Sequence, residues 1–231
     1  PNHDVVIVGW DDSYSKDNFN TDLEGDGAFI CQNSWGDNFG ENGFFYISYY
    51  DTNIGTHNVV YTDIENTDNY DHIYQSDLCG WVGQLGYNKD SIYGANVFTA
   101  EGNETLKAAS FYATGKDSQY ELYVVRQFED ETSLEKMIPV ASGKLGNAGY
   151  YTVDFNQGIE VDAGERYAVV LYIITPGSVH PMAIEYAADE ATENVDLDDG
   201  ESYISANGSK WVSVDTVEKS NLCIKAFSDN R

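Results

Sequence analysis

Residues 29–48 read FICQNSWGDNFGENGFFYIS, in which a short polar turn beginning at Asn33 separates two apolar runs. The runs Ala28–Gln32 and Phe44–Tyr50 are rich in aromatic and β-branched residues, and a similar run, Val5–Trp10, lies upstream. Such runs, separated by clusters of Gly, Asp and Asn, are typical of strands and turns. The sequence therefore predicts three short strands at the start of the chain, with Asn33 at the end of the second.

A histidine, His3, precedes the first of these strands in the segment NHDVVIVGW. If the first two strands pair antiparallel, the start of one meets the end of the other, and His3 lies near Asn33. A histidine has an ordinary pKa of about 6.5 and transfers protons well near neutral pH, provided that its ring is held in one tautomer. The asparagine oxygen can hold the ring by accepting its N–H, and Trp35 could cover that hydrogen bond. Such a pair activates a nucleophile, most naturally a cysteine thiol.

The composition excludes several classes of partner. The chain has 231 residues, of which 42% are hydrophobic, enough for the core of one large domain or two small ones. The 39 Asp and Glu residues exceed the 12 Lys and Arg residues, which gives a formal net charge of -27. This charge would repel phosphate backbones and anionic membranes, so no nucleic-acid partner is expected. No apolar run approaches the about 20 residues that a transmembrane helix requires, so no membrane span is predicted.

Short β-rich runs continue through the rest of the chain without a convincing helical pattern. They read VFTA, AASFYAT, YELYVVRQF, GYYTVDF, RYAVVLYII, MAIEYA and LCIKAF. Regularly spaced runs of this kind favour an antiparallel β-sandwich, so the predicted fold class is mainly β. The polar stretch 65–76 is predicted as a linker between a small unit, residues 1–64, and the sandwich, residues 77–231. Three strands make a thin core, so the small unit is expected to need a partner segment.

The segments NHDVVIVGWDD and NSWGDNFGENGFFYIS resemble the histidine and asparagine motifs of papain-like cysteine peptidases. The resemblance implies that residues 1–64 form the C-terminal β half of a peptidase domain, which hydrolyses peptide bonds in peptide or protein substrates. It also implies individual roles. His3 would be the general base and acid, Asn33 would orient it, Trp35 would shield the pair, and the Asn2 carbonyl would bind the substrate backbone.

The sequence departs from the pattern of this family in several places. Gln32 stands where the family usually has lysine, and Phe39 replaces a second tryptophan. The family's nucleophile segment, Cys-Gly-Ser-Cys-Trp, and the glutamine before it are absent. We therefore expect the catalytic cysteine in an N-terminal half outside this chain, and no activity from the chain alone. Cys79, in Cys-Gly-Trp, is a weaker alternative because it follows the histidine and lacks the second cysteine. Cys31 is expected to pack in the core.

The later strands, from GANVFTA to NLCIKAF, resemble the lectin-like domain that follows the peptidase in some bacterial members of this family. This second resemblance implies a lectin-like or jelly-roll sandwich, a carbohydrate partner, and an extracellular or cell-surface location. The 18 Tyr and 4 Trp residues fit either stacking on sugars or packing within the sheets.

Two functions remain open at this point. In the first, the chain is part of a cysteine-type peptidase in which a cysteine from outside the chain completes a Cys-His-Asn triad, with the sandwich as an accessory module. In the second, a truncated peptidase remnant supports a non-catalytic glycan- or surface-binding protein. The residues upstream of Pro1 would distinguish the two.

The sequence predicts no metal site and no other cofactor. The segments DLEGDG at 22–27 and DLDDGE at 196–201 begin like calcium loops but lack the glutamate that such loops need at their twelfth position. His57, His72 and His180 have no evident partner and are expected on the surface or in loops.

Overall fold

The computed structural model describes residues 3–56, 58–214 and 218–231. The chain divides into two compact units, residues 1–62 and residues 63–231. Within the described residues, no helix is both long enough and apolar enough to cross a membrane.

The first unit is a three-stranded antiparallel sheet of β1 (Val6–Asp11), β2 (Ala28–Gln32) and β3 (Phe44–Ser48), with β2 in the centre. Ile7 lies opposite Cys31, so the start of β1 meets the end of β2, as the sequence predicts. The register shifts between Ile7 and Gly9, which marks an irregularity in the edge strand β1.

Few apolar side chains of the first unit are fully buried. Of the described apolar side chains in this unit, only Ala28 and Cys31 are buried. Along β1, the side chains of Val6, Val8 and Trp10 are 61%, 50% and 69% exposed. Because of the register shift, Val6 lies opposite Gln32 and Trp10 lies opposite Phe29. Gln32 and Phe29 point to opposite faces of β2, so β1 exposes apolar side chains on both faces of the sheet.

The second unit contains the remaining strands. They are β4 (His72–Tyr74), β5 (Gly83–Leu85), β6 (Ser91–Thr99), β7 (Glu104–Ala113), β8 (Ser118–Val125), β9 (Ile138–Leu145), β10 (Gly149–Val161), β11 (Arg166–Ile174), β12 (Met182–Glu185), β13 (Ser202–Ser205), β14 (Val212–Ser213), β15 (Asn221–Leu222) and β16 (Ile224–Asn230).

These strands form a sandwich of antiparallel sheets. The four-stranded sheet has the order β10-β7-β16-β4, the six-stranded sheet has the order β14-β13-β6-β11-β8-β9, and a short third sheet has the order β15-β12-β5. Phe111 of β7 and Ile224 of β16 share one buried cluster with Leu122 of β8 and Leu171 of β11, so the two larger sheets face each other across the core. The predicted mainly β fold with an antiparallel sandwich is confirmed.

The opposite face of the six-stranded sheet is partly covered as well. Val97 of β6 and Val170 of β11 pack there against Phe128 and Leu134, which belong to the segment after β8. That segment includes a short 3-10 helix, Glu131–Glu135, capped by Asp130. Farther along this outer face, β11 carries Tyr172 and Ile174.

The predicted linker 65–76 is shorter in the structure. Residues 72–74 of that stretch form β4, which pairs with β16 at the edge of the four-stranded sheet. The Tyr74 side chain is buried, and its hydroxyl donates to both oxygens of the buried Glu104 carboxylate at 2.8 Å. A buried carboxylate needs such donors, so β4 is part of the sandwich.

Candidate active site

The structure brings His3 and Asn33 together. His3 lies three residues before β1, and Asn33 follows the last residue of β2, so the antiparallel pairing places both at one end of the sheet. The distance from His3 Nε2 to Asn33 Oδ1 is 3.0 Å, within hydrogen-bond range. The Asn33 side chain is buried and the His3 ring is exposed.

The hydrogen bonds around Asn33 fix the tautomer of His3. The Ser34 backbone N–H donates to Asn33 Oδ1 at 2.8 Å, and a backbone N–H can only donate. The atom at that position is therefore the amide oxygen, which cannot donate to the imidazole. It follows that His3 Nε2 carries the proton and donates to Asn33, and that Nδ1 of the neutral ring carries the free lone pair. Among the described residues, nothing hydrogen-bonds to Nδ1.

A glycine-rich turn holds Asn33 in this position. The Asn33 backbone N–H donates to the Gly43 carbonyl at 3.0 Å, and the Gly43 N–H donates to the Phe39 carbonyl at 2.7 Å. Gly40 has a φ of +56°, and a Cβ at that position would lie 2.2 Å from the Phe44 carbonyl oxygen. Any other residue at Gly40 would displace the strand that follows, so the turn requires glycine there.

An aromatic side chain lies beside the histidine ring. The rings of Trp35 and His3 have centroids 4.9 Å apart and an interplanar angle of 35°. Trp35 contacts Phe39 edge to face at 5.0 Å, and Phe39 contacts Phe45 of β3 in the same way at 5.6 Å. Phe39, which differs from the family pattern, thus supports Trp35 from the sheet. The Trp35 side chain is itself 62% exposed.

A surface groove of about 370 Å³ adjoins this pair. Its lining comprises Asp4, Val5, Val6, Gln32, Asn33 and Ser34. Asn2, whose carbonyl was expected to bind substrate, lies outside the described residues.

The three cysteines lack the surroundings of a reactive thiol. Cys31 and Cys223 are buried, and burial raises the pKa of each thiol above its ordinary value. Cys79 is exposed, yet desolvation together with the neighbouring Glu185 carboxylate raises its pKa as well. A nucleophilic cysteine needs a lowered pKa, so none of these thiols has the environment that favours the thiolate. The buried position of Cys31 agrees with the packing role expected from the sequence.

A second histidine–asparagine pair was not expected from the sequence. His72 Nε2 lies 3.0 Å from Asn230 Oδ1, so the expectation that His72 has no partner is wrong. The two residues are 158 positions apart and meet only because β4 pairs with β16. No local signal in the sequence announces such a contact. Within the described part of the chain, the His180 ring makes no hydrogen bond or ring contact, and His57 lies outside that part.

Two family models match the chain in adjoining segments. The lectin like domain matches residues 73–228, and the papain family cysteine protease matches residues 1–64. No curated protein matches the chain. Four chains of solved structures match it, and two of them are described below.

The first structure is the clostridial cysteine protease Cwp84 after propeptide cleavage, which is 28% identical, has a TM-score of 0.79 and aligns with 100% of this chain. The second contains the cysteine protease and lectin-like domains of Cwp84, a surface layer associated protein of Clostridium difficile. It is 27% identical over 98% of this chain, with a TM-score of 0.78. The chain spans 58% and 52% of the lengths of these two structures. It therefore belongs to the lectin-like domain family over most of its length, and its residues 1–64 match the papain family of cysteine proteases.

Proposed function

We propose that residues 1–64 supply the histidine and the asparagine of a Cys-His-Asn triad to a peptidase that hydrolyses peptide bonds. The observation that carries this proposal is the fixed tautomer of His3, with Nε2 bonded to Asn33 at 3.0 Å and Nδ1 open. An imidazole held in this way is prepared to accept a proton at Nδ1.

In the proposed reaction, His3 Nδ1 accepts the proton of the cysteine thiol, and the thiolate attacks the carbonyl carbon of the scissile peptide bond. The resulting imidazolium returns its proton to the leaving amine as the tetrahedral intermediate collapses to a thioester. His3 then removes a proton from water, which attacks the thioester and releases the free acid and the thiol. Throughout, Asn33 accepts the Nε2–H and keeps the ring in place, and Trp35 limits the access of water to that hydrogen bond.

We further propose that the nucleophile belongs to an N-terminal half that packs against the first unit. The raised pKa values of Cys31, Cys79 and Cys223 argue against a nucleophile within the chain. The exposed apolar side chains of β1 provide a surface for this N-terminal half. In this proposal the Asn2 carbonyl binds the substrate backbone, and the peptidase portion ends near residue 64.

The second unit is proposed to bind carbohydrate and to hold the peptidase at a bacterial cell surface. Two findings support this role: the lectin-like family match, and the similarity to a protein described as surface layer associated. The chain's strong negative charge would repel a polyanion, so the expected ligand is an uncharged carbohydrate.

The test compares this chain alone with a peptidase that joins it to a nucleophile-bearing N-terminal half. Each is incubated with a fluorogenic peptide and with an epoxide that traps active-site thiols. We expect no hydrolysis by the chain alone, and no labelling of its three cysteines above that of a denatured control. The joined protein should hydrolyse the peptide and take up one epoxide on a cysteine outside these residues.

Two outcomes would overturn the proposal. Rapid labelling of Cys79 in the chain alone would place the nucleophile inside it. An inactive joined protein that is folded and carries a free cysteine would favour the alternative, a non-catalytic glycan- or surface-binding protein with a peptidase remnant.

A further inference from the structure

The outer face of the six-stranded sheet carries a groove that the core does not use. Its volume is about 270 Å³, and it runs over the neighbouring strands β11, β8 and β9. Leu122 and Leu171 of these strands point into the core, so the residues that alternate with them point outward. The outward-facing residues that line the groove are Gln119, Glu121, Ser142, Lys144, Tyr172 and Ile174.

The strand register arranges these side chains in two rows. In the first row, Tyr172 lies opposite Glu121, and Glu121 lies opposite Ser142. In the second row, Ile174 lies opposite Gln119, which lies opposite Lys144. Directly opposed side chains in antiparallel strands have Cβ atoms about 4.5–5.5 Å apart, so each row is a continuous strip.

One wall of the groove is an aromatic ring with one face available. The Tyr172 ring stacks on Tyr93 of β6, with centroids 4.2 Å apart and an interplanar angle of 21°. Tyr93 is itself held close to Gly208, where an added Cβ would lie 3.2 Å from its ring. Tyr172 is therefore supported on one face, and its other face is turned toward Glu121 and the groove.

The polar groups of the groove have spare hydrogen-bonding capacity. Within the described part of the chain, the side chains of Gln119, Ser142 and Lys144 make no hydrogen bond or ion pair. One oxygen of Glu121 accepts from the Tyr123 hydroxyl, which orients the carboxylate and leaves its other oxygen free. The groove thus combines an aromatic face with an amide, a hydroxyl, an ammonium and a carboxylate. The aromatic face can stack on the C–H face of a sugar ring, and the polar groups can bond to its hydroxyl groups.

We infer that this groove is a binding subsite for one neutral pyranose unit of a polysaccharide. This inference rests on the glycan-binding role proposed above. The volume is slightly below the about 300–1,000 Å³ of pockets for drug-sized ligands, which limits the site to a single sugar unit. Lys144 and Glu121 balance each other within the groove, and the chain's charge of -27 would repel an anionic polymer.

A second aromatic surface of this unit is a less suitable sugar-binding site than the groove. On the four-stranded sheet side, Tyr112 contacts Trp81 at 5.8 Å and Tyr150 at 5.0 Å, and Trp81 and Tyr150 are 37% and 44% exposed. The Tyr150 hydroxyl, however, already donates to Ser110 at 2.6 Å. The nearby Lys225 ammonium is likewise bound to Asp77 at 2.7 Å. This surface therefore has exposed aromatic rings, but these polar groups are already hydrogen-bonded within the protein and are not free to bind sugar hydroxyls.

The experiment measures the binding of the whole chain to soluble polysaccharides by affinity electrophoresis. The probes are three neutral polymers, a glucan, a mannan and a galactan, together with polygalacturonate as the anionic polymer. We expect at least one neutral polymer to retard the chain and polygalacturonate to bind far more weakly. Tyr172→Ala should weaken binding about tenfold. Gln119→Ala and Ser142→Ala should each weaken it about two- to tenfold.

Matched controls separate the possible failures. Tyr150→Ala removes a tyrosine outside the groove that is more exposed than Tyr172, and it should change affinity less than about twofold, as should Trp81→Ala. Gln119 and Ser142 are exposed, so their substitution leaves the fold intact even if Tyr172→Ala lowers the melting temperature. If the groove variants bind like the wild type while Trp81→Ala or Tyr150→Ala weakens binding, the groove is wrong and the glycan-binding role stands. If the wild type binds none of the neutral polymers, both the groove assignment and the glycan-binding role are wrong. If it binds polygalacturonate as tightly as a neutral polymer, the assignment of a neutral sugar is wrong.

Discussion

The molecule contains two histidine–asparagine pairs with the same central contact and different surroundings. In the first unit, His3 Nε2 lies 3.0 Å from Asn33 Oδ1, and in the second unit, His72 Nε2 lies 3.0 Å from Asn230 Oδ1. In both, a second bond identifies the asparagine atom as oxygen, because Asn230 Nδ2 donates to Asp71 at 2.9 Å. Both histidines therefore carry a proton on Nε2.

The difference lies at the other ring nitrogen. His72 Nδ1 is 3.6 Å from the Glu101 carboxylate, whereas the described residues place no charged group on Nδ1 of His3. The hydrogen bond to Asn230 and the charges of Glu104, Glu101 and Asp71 raise the pKa of His72, although desolvation opposes them. With Nε2 bonded to Asn230 and Nδ1 beside Glu101, neither ring nitrogen of His72 is open to accept a proton from a nucleophile. An asparagine partner therefore identifies a histidine as a candidate base only when the other ring nitrogen of that histidine is free.

The largest expected difference concerns the sheets that carry the two pairs. The His72 sheet closes a buried core, whereas Ala28 and Cys31 are the only buried apolar side chains described in the His3 unit. We expect residues 63–231 to fold alone with a cooperative thermal transition, and residues 1–62 alone to stay unfolded. Circular dichroism and the dispersion of the amide NMR spectrum measure both. A dispersed spectrum for residues 1–62, with aggregation of residues 63–231, would show that the division is wrong.

The next largest difference concerns the two asparagines in a peptidase joined to its nucleophile half. Asn33→Ala should lower kcat by about 10- to 1,000-fold, because the His3 ring loses its preferred tautomer and orientation. Asn230→Ala, the matched control, should leave kcat unchanged. Steady-state kinetics on one fluorogenic peptide decide the point, and equal effects of the two substitutions would remove the distinction between the pairs.

A smaller effect is expected from the aromatic side chain beside His3. Trp35→Ala should lower kcat by about two- to tenfold, because water would then compete for the His3–Asn33 hydrogen bond. Trp35→Phe keeps a ring next to His3 and should recover most of the loss. The comparison of kcat for these two variants is the measurement. If Trp35→Phe is as impaired as Trp35→Ala, shielding by an aromatic ring is not its role.

The smallest effect is a pH dependence of stability from His72. Its pKa is raised above the ordinary value of 6.5, so its charged form stabilises the folded state. This contribution is fully present below pH 6.5 and is lost as the pH rises through the folded-state pKa. An NMR titration should give a pKa above that of a free histidine, and Glu101→Gln should lower it. A titration of His72 at or below the ordinary value would contradict this.

The first unit could be predicted in detail because its signals are local. The predicted strands Val5–Trp10, Ala28–Gln32 and Phe44–Tyr50 match β1, β2 and β3 to within two residues at each end. The proximity of His3 and Asn33 follows from one antiparallel pairing, which needs only the strand boundaries.

The features missed in the second unit depend on contacts between distant strands. Strand β9 contains Pro139 and Gly143, and both residues weaken the sequence signal for a strand. The proline is tolerated because β9 is the edge strand of its sheet. The groove of Tyr172 combines side chains from three strands, and only the register sets them side by side. Periodicity identifies each strand separately and does not say which strands are neighbours.

The central claim is that His3, and not His72, is the catalytic base, and turnover of the joined peptidase tests it directly. His3→Ala should abolish hydrolysis of the fluorogenic peptide, because both thiolate formation and protonation of the leaving amine require its Nδ1. His72→Ala and His180→Ala should retain the activity of the unsubstituted enzyme. Full activity in His3→Ala, or an equal loss in His72→Ala, would contradict the account.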